Sequence, residues 1–362
     1  MKKIRSAVIG CGRMGAFTSQ KVIEHSPNCW FPLSHVQALI DCPDTLLESI
    51  CDINKDLLNK TQSKYGIENI FLDYQIMLEE TKPELLCIAT RTIERTAIIR
   101  DAINAGVKAI HLEKPICNSL KQLNDIEKMV KENDIALTYG TIRRYFNIYN
   151  KAKEIANSGE LGDLKEIEIN FGSAKLFWTH PHSVDVILFF AGSREISSVQ
   201  ANLANVIFEG KDDFVSSDPL VNSGKIFFDD GCIGKITTRP GMDVVLYLSK
   251  GIILVEGDGE RLIVRKINQS DAYYEYPGEC HTKQDNTPEG TMSAIQSLVG
   301  QIYSNSKVDN ISDLIFDKEH IFNGQRVLFG FVQSHINDGL HIDIENISPS
   351  IHVLAKSDQF YA

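Results

Sequence analysis

The chain has 362 residues, of which 43% are hydrophobic and 23% charged, as is typical of a soluble globular protein with two domains. Its net charge of −11 argues against a surface for nucleic acid or for an anionic membrane, because either needs a basic patch. No apolar run approaches the ~20 residues that span a bilayer. The eight cysteines include no C-x-x-C pair that would indicate structural zinc. We therefore expect a cytoplasmic protein.

A glycine-rich turn follows the first predicted strand. Residues 4–9 are mostly apolar, and Gly10, Gly12 and Gly15 fit the pattern G-x-G-x-x-G. In a dinucleotide-binding fold, the first glycine allows a tight turn, the second lets the backbone approach a pyrophosphate, and the third lets a helix pack closely. The pattern predicts a helix over residues 13–25, whose N-terminus would present N–H groups to the phosphates. An ordinary strand-to-helix turn is the alternative interpretation.

An acidic residue is expected at the end of the second strand, where it would accept hydrogen bonds from the adenosine ribose. Asp52 fills that position. It lies 37 residues after Gly15, whereas the usual offset is ~20. An insertion in the proline-rich residues 26–45 accounts for the longer spacing. Asp41 and Asp44 are rivals by distance but lie in that loop. Because a carboxylate repels a 2′-phosphate, Asp52 favours NAD over NADP. The alternative is a solvated carboxylate.

Strand and helix patterns alternate as far as residue 139, which predicts right-handed βαβ units and a parallel sheet covered on both faces. Beyond that point, turn residues separate short alternating strands, among them a candidate strand over 197–208. Residues 290–304 are predicted to be helical. We predict an α/β protein with a Rossmann domain over 1–141. The second domain, over 142–362, would be α/β with a large, mainly antiparallel sheet.

A lysine follows the strand predicted over residues 107–112, in the sequence Glu113-Lys114-Pro115. Ligands of such sheets bind outside the carboxyl ends of the strands. The Lys114 ammonium would therefore lie near a nicotinamide ring, where it can stabilise developing alkoxide charge. The alternative is a surface lysine beside a turn proline.

A second polar group stands at the head of an apolar helix, from Trp178 to Asp185. His182 and Asp185 are three residues apart and would share a helix face. Histidine suits general acid–base catalysis because its pKa lies near neutral pH. The alternative is that Asp185 braces a structural histidine. His180 and His182 could also bind a metal, but no further ligand has suitable spacing, so we predict no metal.

These motifs resemble the Gfo/Idh/MocA family of glucose–fructose oxidoreductase, inositol dehydrogenase and rhizopine-catabolism proteins. The resemblance implies a Rossmann domain followed by an α/β domain whose open sheet face commonly serves for oligomerisation, hence a homodimer or homotetramer. It implies NAD-dependent hydride transfer on a sugar, cyclitol or nucleotide sugar, with Lys114 as the active-site lysine and His182 as the catalytic histidine. The matching motifs, in chain order, are Gly10 to Gly15, Ala89-Thr90, Ala105-Gly106 leading to Glu113-Lys114-Pro115, and His182 to Asp185 leading to Gly192.

Two positions depart from the family pattern. Many members carry an aspartate four residues before the histidine, where this chain has Trp178. The family often has Pro-Asn after Ala-Thr and then a histidine, where this chain reads Arg91-Thr92-Ile93-Glu94-Arg95. The two arginines could serve an anionic group, which is compatible with an acidic sugar or a nucleotide sugar.

The predicted site thus has a cofactor part and a substrate part. The residues expected to hold NAD are Gly10, Cys11, Gly12, Arg13, Met14, Gly15, Asp52, Ala89, Thr90, Arg91, Glu113 and Lys114. Those expected to contact substrate are Lys114, Arg144, Trp178, His180, His182 and Asp185, with Trp178 stacking on a sugar ring. Two other functions fit the same residues. One is an epimerase, lyase or glycosidase that retains NAD without net redox, and the other is an inactive NAD-binding regulatory protein.

Overall fold

The computed structural model describes residues 2–269, 274–275, 279–283, 287–304 and 318–354. These residues divide into two compact units. The first unit contains residues 2–142, 287–304 and 318–321, and the second contains the described parts of 143–285 and 322–356. Each unit has its own large sheet.

A parallel sheet forms the centre of the first unit. Its strands are β1 Ile4–Ile9, β2 Thr45–Cys51, β3 Asn69–Phe71, β4 Leu85–Ile88, β5 Ala109–Leu112 and β6 Ala136–Tyr139. They lie in the order β3-β2-β1-β4-β5-β6, which is that of a Rossmann fold with its switch point between β1 and β4. Every residue of β4, β5 and β6 is buried, as expected for parallel strands covered on both faces. The predicted Rossmann class is confirmed.

Helices lie between these strands and have recognisable start signals. They are α1 Gln20–His25, α2 His35–Asp41, α3 Lys55–Tyr65, α4 Tyr74–Thr81, α5 Thr92–Asn104 and α6 Leu120–Glu132, with a 3-10 helix at Asn28–Trp30. The side chain of Asn54 accepts the N–H groups of Asp56 and Leu57 at the start of α3. Gly66, with φ 69°, ends that helix.

The helix predicted over residues 13–25 is wrong for its first half. Residues 13–16 form a single turn, in which the N–H of Ala16 donates to the carbonyl of Gly12 at 2.8 Å. The helix begins only at Gln20, because the Ser19 hydroxyl accepts the N–H of Val22 and caps it there. Serine and threonine before a helix favour such a cap over continued helix. The first helix therefore does not begin at the glycine turn, and its N-terminus does not provide the phosphate-binding N–H groups that were predicted there.

A mixed sheet forms the centre of the second unit. Nine strands lie in the order β18-β15-β14-β13-β7-β12-β11-β8-β19. Neighbours pair antiparallel except β7 and β12, so the predicted mainly antiparallel sheet is confirmed. The strands of this unit are β7 Leu164–Asn170, β8 Ile196–Ala204, β9 Phe208–Glu209, β10 Lys211–Val215, β11 Leu220–Phe228, β12 Ile233–Thr237, β13 Asp243–Leu248, β14 Gly251–Glu256, β15 Arg261–Lys266, β16 Asn268–Gln269, β17 Tyr274–Glu275, β18 Glu279–Lys283, β19 Ile342–Asp343 and β20 His352–Val353.

Shorter elements complete the second unit. Helices α7 Asn147–Asn157 and α8 His180–Ala191 belong to it, with 3-10 turns at Ile344–Asn346 and at Ile142–Tyr145, of which Ile142 is the last residue of this stretch of the first unit. The strand expected over 197–208 ends at Ala204, because Asn205 takes a left-handed φ of 59°. Asparagine tolerates that conformation and so turns the chain.

Two long helices lie between β18 and β19 in sequence, α9 Gly290–Ser304 and α10 Lys318–Ile336. Helix α9 belongs to the first unit, where its buried Ile295, Leu298 and Val299 join the core formed by the parallel sheet and α2. The predicted boundary at residue 141 would assign α9 to the second domain, whereas α9 packs in the first unit. The sequence could not indicate this, because an apolar helical stripe does not specify which sheet it covers.

Candidate active site

The three glycines of the turn after β1 meet different surroundings. Gly10 has φ 96°, and a Cβ there would lie 2.8 Å from the carbonyl atoms of Ala89. A Cβ on Gly15 would lie 1.8 Å from the Gly10 oxygen. A Cβ on Gly12 would meet nothing within 4 Å. Gly10 and Gly15 are thus required by the packing of the turn itself, whereas Gly12 leaves open space where a pyrophosphate can approach the backbone.

Asp52 lies directly after β2 and beside the glycine turn. Its Oδ2 accepts the N–H of Cys11 at 2.7 Å, and its Oδ1 accepts the N–H of Asn54 at 2.7 Å. The half-buried carboxylate is therefore fixed at the carboxyl end of the sheet. A carboxylate oxygen has more than one acceptor site, so both oxygens can still accept a ribose hydroxyl. Asp41 lies at the end of α2, and Asp44 just before β2.

Glu113 and Lys114 form the start of the loop after β5. Glu113 was expected to face the cofactor, but its carboxylate is turned inward and is only 5% exposed. Its Oε1 lies 3.1 Å from His35 Nε2, and its Oε2 accepts the backbone N–H of Lys114 at 3.2 Å. Burial alone would raise the pKa of Glu113, but the hydrogen bond and charge of His35, with the charge of Lys114, lower it to about 2. Glu113 is therefore an ionised, internal group.

The two arginines of the loop after β4 have separate positions. Arg91 is exposed, as an anion-binding group requires. Arg95 is 3% exposed, and its guanidinium donates to the backbone oxygens of Thr90, Glu113 and Pro115. Burial lowers the pKa of Arg95 to about 10, against the charge of Glu113, so it stays charged at neutral pH. Arg95 thus joins the loops after β4 and β5, and the expectation that it serves an external anion is wrong.

Three buried side chains of the first unit could reach a common metal ion. His35, His111 and Glu113 bring their ligand atoms within 4.8 Å of one another, the one such group found among the residues described. Sequence spacing gave no sign of it, because α2 and β5 bring distant residues together. The charges argue against a divalent cation there. The electrostatic partners of Glu113 already include Lys114 and Arg95, so a third positive group would face a single carboxylate.

In the second unit, the histidines at the start of α8 differ in exposure. His182 is partly exposed and Trp178 is half-buried, so both can meet a ligand. His180 is fully buried, and its Nδ1 lies 3.0 Å from the Ser183 hydroxyl. Burial lowers the pKa of His180 to about 4, although a hydrogen bond to the backbone of Ala174 acts in the opposite direction. His180 is thus a neutral interior group, and its expected contact with substrate is not supported by its position.

Arg144 and Asp185 were expected to contact substrate, but they form a buried ion pair with each other. The two side chains are 7% and 4% exposed, and Arg144 donates to Asp185 through Nη2 at 2.7 Å and Nε at 3.0 Å. Such a two-point contact with a carboxylate is the geometry that arginine favours. Asp185 therefore braces Arg144 rather than a histidine, and this pair is best described as structural.

Two of the buried histidines, His111 and His180, predict acid sensitivity. Burial and, to a smaller extent, the nearby His35 lower the pKa of His111 to about 3, while the charge of Glu113 acts in the opposite direction. Both His111 and His180 have folded-state pKa values below the ordinary value. Below pH ~6.5 the unfolded chain therefore binds more protons than the folded chain. Each of the two histidines then lowers the free energy of unfolding by up to about 1.4 kcal/mol per pH unit as the pH falls toward 4.

Urea unfolding at pH 7.5, 6.0 and 5.0 measures this dependence, and we expect the midpoint to fall across the series. His180→Phe should flatten the dependence. His25→Gln, a change at an exposed helix end, should leave it as in the wild type. A midpoint that stays constant from pH 7.5 to 5.0 would contradict the prediction.

The glycine turn, Asp52 and the strand order define a dinucleotide-binding unit of the Rossmann type. Residues 4–141 match the family described as an oxidoreductase family with an NAD-binding Rossmann fold, Gfo/Idh/MocA. Through these residues the chain is similar to that family, and its first unit has the NAD-binding Rossmann fold that the family model describes.

Two known oxidoreductases are similar to this chain in sequence. The uncharacterized oxidoreductase YrbE of Bacillus subtilis is 27% identical, and the myo-inositol 2-dehydrogenase of Thermotoga maritima is 26% identical, each over 161 residues. Each alignment covers 44% of this chain and 42% of the relative, so less than half of either protein is matched.

The fold extends further than the sequence match. The structure of levoglucosan dehydrogenase in complex with NADH and levoglucosan superimposes with a TM-score of 0.73 at 16% identity, covering 95% of this chain and 100% of the other. The fold is thus shared over nearly the whole length. None of the helices described is both long and apolar enough to cross a bilayer.

Proposed function

We propose that the protein transfers a hydride between NAD and a secondary alcohol or ketone of a sugar, cyclitol or nucleotide sugar. The observation that supports this best is the position of Lys114, two residues after the end of β5, at the carboxyl edge of the sheet that also carries the glycine turn. Ligands of such sheets bind at that edge. The myo-inositol and levoglucosan dehydrogenases among the similar proteins act on alcohols of this kind.

The residues that would hold NAD fit it. Gly12 leaves room for the pyrophosphate, and Asp52 offers acceptors for the ribose. The loop residues Ala89, Thr90 and Arg91 follow β4, the strand that pairs with β1. When bound, NAD supplies the hydride acceptor for oxidation or, reduced, the hydride donor. Asp52 would also make the site selective for NAD over NADP, because its carboxylate would repel the 2′-phosphate of NADP.

The catalytic roles fall on two residues in this proposal. Lys114 donates a hydrogen bond to the substrate oxygen and offsets the negative charge that grows on it. His182 accepts the hydroxyl proton during oxidation and returns it during reduction. Trp178 presents an aromatic face to the sugar ring. Arg91, exposed beside Thr90, is the arginine best placed for an acidic substituent.

Cofactor choice gives the first test. In fluorescence titrations of the purified protein, NADH should bind at least about tenfold more tightly than NADPH, since a carboxylate beside the 2′-phosphate costs more than about 1.4 kcal/mol. Asp52→Ser should remove most of the difference. Tighter binding of NADPH by the wild type would overturn the role of Asp52.

Turnover gives the second part of the test. Initial rates with NAD and a panel of sugars, cyclitols, sugar acids and nucleotide sugars should identify at least one substrate that forms NADH. Nucleotide retained through purification, with substrate converted but no net NADH, would favour the non-redox alternative. NADH binding without turnover across the panel would favour the regulatory one.

We also propose that the protein forms a homodimer or homotetramer through the open face of the second sheet. Alternate residues of β13 and β14 are buried, and those between them are partly exposed and largely apolar, namely Val245, Tyr247, Ile252 and Leu254. Apolar side chains in such a continuous patch favour association. Light scattering should give a mass above the 40.6 kDa chain. A double Val245→Lys, Leu254→Lys variant should be monomeric, whereas a wild-type monomer would contradict the proposal.

A further inference from the structure

Glu113 connects two parts of the first unit through its two carboxylate oxygens. Oε2 accepts the backbone N–H of Lys114 at 3.2 Å, while Oε1 lies 3.1 Å from Nε2 of His35. The pKa of Glu113 is low, so its carboxylate is ionised and can only accept. His35 must therefore donate through Nε2. The Lys114 main chain and the His35 ring are thus linked by one carboxylate.

His35 is also connected to the glycine turn. It is the first residue of α2, and its backbone N–H donates to the carbonyl of Met14 at 2.9 Å. The next N–H, of Val36, donates to the carbonyl of Gly15 at 2.9 Å. One residue therefore contacts the glycine turn with its main chain and Glu113 with its side chain.

The surroundings leave this connection little freedom. His35 is 0% exposed, and the His111 ring packs edge-on against it with centroids 4.7 Å apart. Gly140 lies against the carboxylate of Glu113, such that a Cβ there would approach both oxygens to 2.9 Å. Close packing of this kind restricts each side chain to one arrangement.

We propose that His35 is a positioning residue that acts through Glu113 to fix the main chain of Lys114 relative to the glycine turn. The proposal rests on the proposed function for the catalytic role of Lys114. Without the His35 donor, the buried Glu113 carboxylate loses a hydrogen-bond partner and shifts toward another donor. That shift displaces the Lys114 N–H, which is bonded to the same carboxylate. A displacement of about 1 Å at a catalytic group can cost about 100-fold in rate.

Two amide substitutions separate the hydrogen bond from the bulk of the ring. In His35→Gln, the side-chain nitrogen reaches about as far as Nε2 and can still donate to Glu113. In His35→Asn, it reaches only as far as Nδ1 and cannot. Thr138→Val is the matched control, because it removes the bond at 2.8 Å between Thr138 and His111 in the same buried layer but leaves Glu113 bonded.

Two readouts are measured for each variant. Steady-state kinetics give kcat and the KM for NAD, and hydrogen exchange by mass spectrometry follows the peptide that contains the Lys114 N–H. We expect His35→Asn to lower kcat by about 10- to 100-fold with the KM for NAD changed by less than about threefold, and to speed that exchange by about tenfold. His35→Gln and Thr138→Val should stay within about threefold of the wild type in kcat.

Three results would overturn the proposal. The first is an equal loss of kcat in the Gln, Asn and Thr138 variants, which would reflect general packing. The second is unchanged exchange at Lys114 in His35→Asn. The third is one equivalent of zinc or another transition metal per purified chain, removed by the same substitutions. The exchange measurement needs no substrate. An absence of wild-type turnover would therefore count against the proposed function, while the position of Lys114 would still be tested.

Discussion

Replacing Lys114 by alanine should lower kcat by about a thousandfold while the affinity for NADH stays within about threefold of the wild type. Removing one preorganised group that stabilises a developing oxyanion costs about 100- to 1000-fold in rate, and Lys114 would also orient the substrate hydroxyl. Steady-state rates on the best substrate of the panel, with NADH titrated by fluorescence, measure both quantities.

The same strand provides a control for the Lys114 substitution. Lys108 is exposed and lies just before β5, at the amino edge of the sheet, whereas Lys114 lies just after the strand at the carboxyl edge. Lys108→Ala should therefore leave kcat unchanged. Lys114→Arg, which keeps the charge but enlarges the head group, should recover only part of the rate. Near-normal turnover of Lys114→Ala would show that the lysine is not catalytic.

Two substitutions in the glycine turn should have different effects, one on the affinity for NADH and the other on the stability of the protein. Gly12→Ala should weaken NADH binding by about 10- to 100-fold, because its methyl group would occupy the space through which the pyrophosphate approaches, and it should leave the unfolding midpoint unchanged. Gly15→Ala should destabilise the protein by about 3 to 5 kcal/mol, because its Cβ would lie 1.8 Å from the Gly10 oxygen.

NADH titration and urea unfolding of both glycine variants measure these effects. The two substitutions add the same methyl group three residues apart, so each serves as the control for the other. The interpretation of Gly12 would fail if Gly12→Ala bound NADH as the wild type does. Equal losses of stability in the two variants would show that the open space beside Gly12 is not open in solution.

Sequence reasoning located the features that depend on neighbours in the chain. The turn after β1, the acid after β2 and the lysine after β5 were all found from a strand, its end and the one or two residues that come next. Local patterns of this kind are visible because the period of apolar residues reveals where a strand ends. The parallel first sheet and the mainly antiparallel second sheet followed from the same patterns.

The partners of charged residues could not be predicted in this way. Arg95 bonds to carbonyls across two loops, Glu113 bonds to His35 across 78 residues, and Arg144 bonds to Asp185 across 41. Each contact depends on which elements pack together, and a charged side chain has the same sequence signature whether it is solvated or paired. The first helix was mispredicted for a related reason, since one serine cap outweighed an apolar spacing.

Helix α9 packs in the first unit although it comes late in the sequence, so that unit cannot be completed during synthesis until α9 has been made. All six strands of the parallel sheet precede residue 140, but Ile295, Leu298 and Val299, which cover part of the sheet's apolar surface, come more than 150 residues later. A nascent chain therefore presents the whole sheet with this surface uncovered until most of the second unit has left the ribosome. The first unit therefore begins first but receives α9 only after every strand of the second sheet except β19 has been translated.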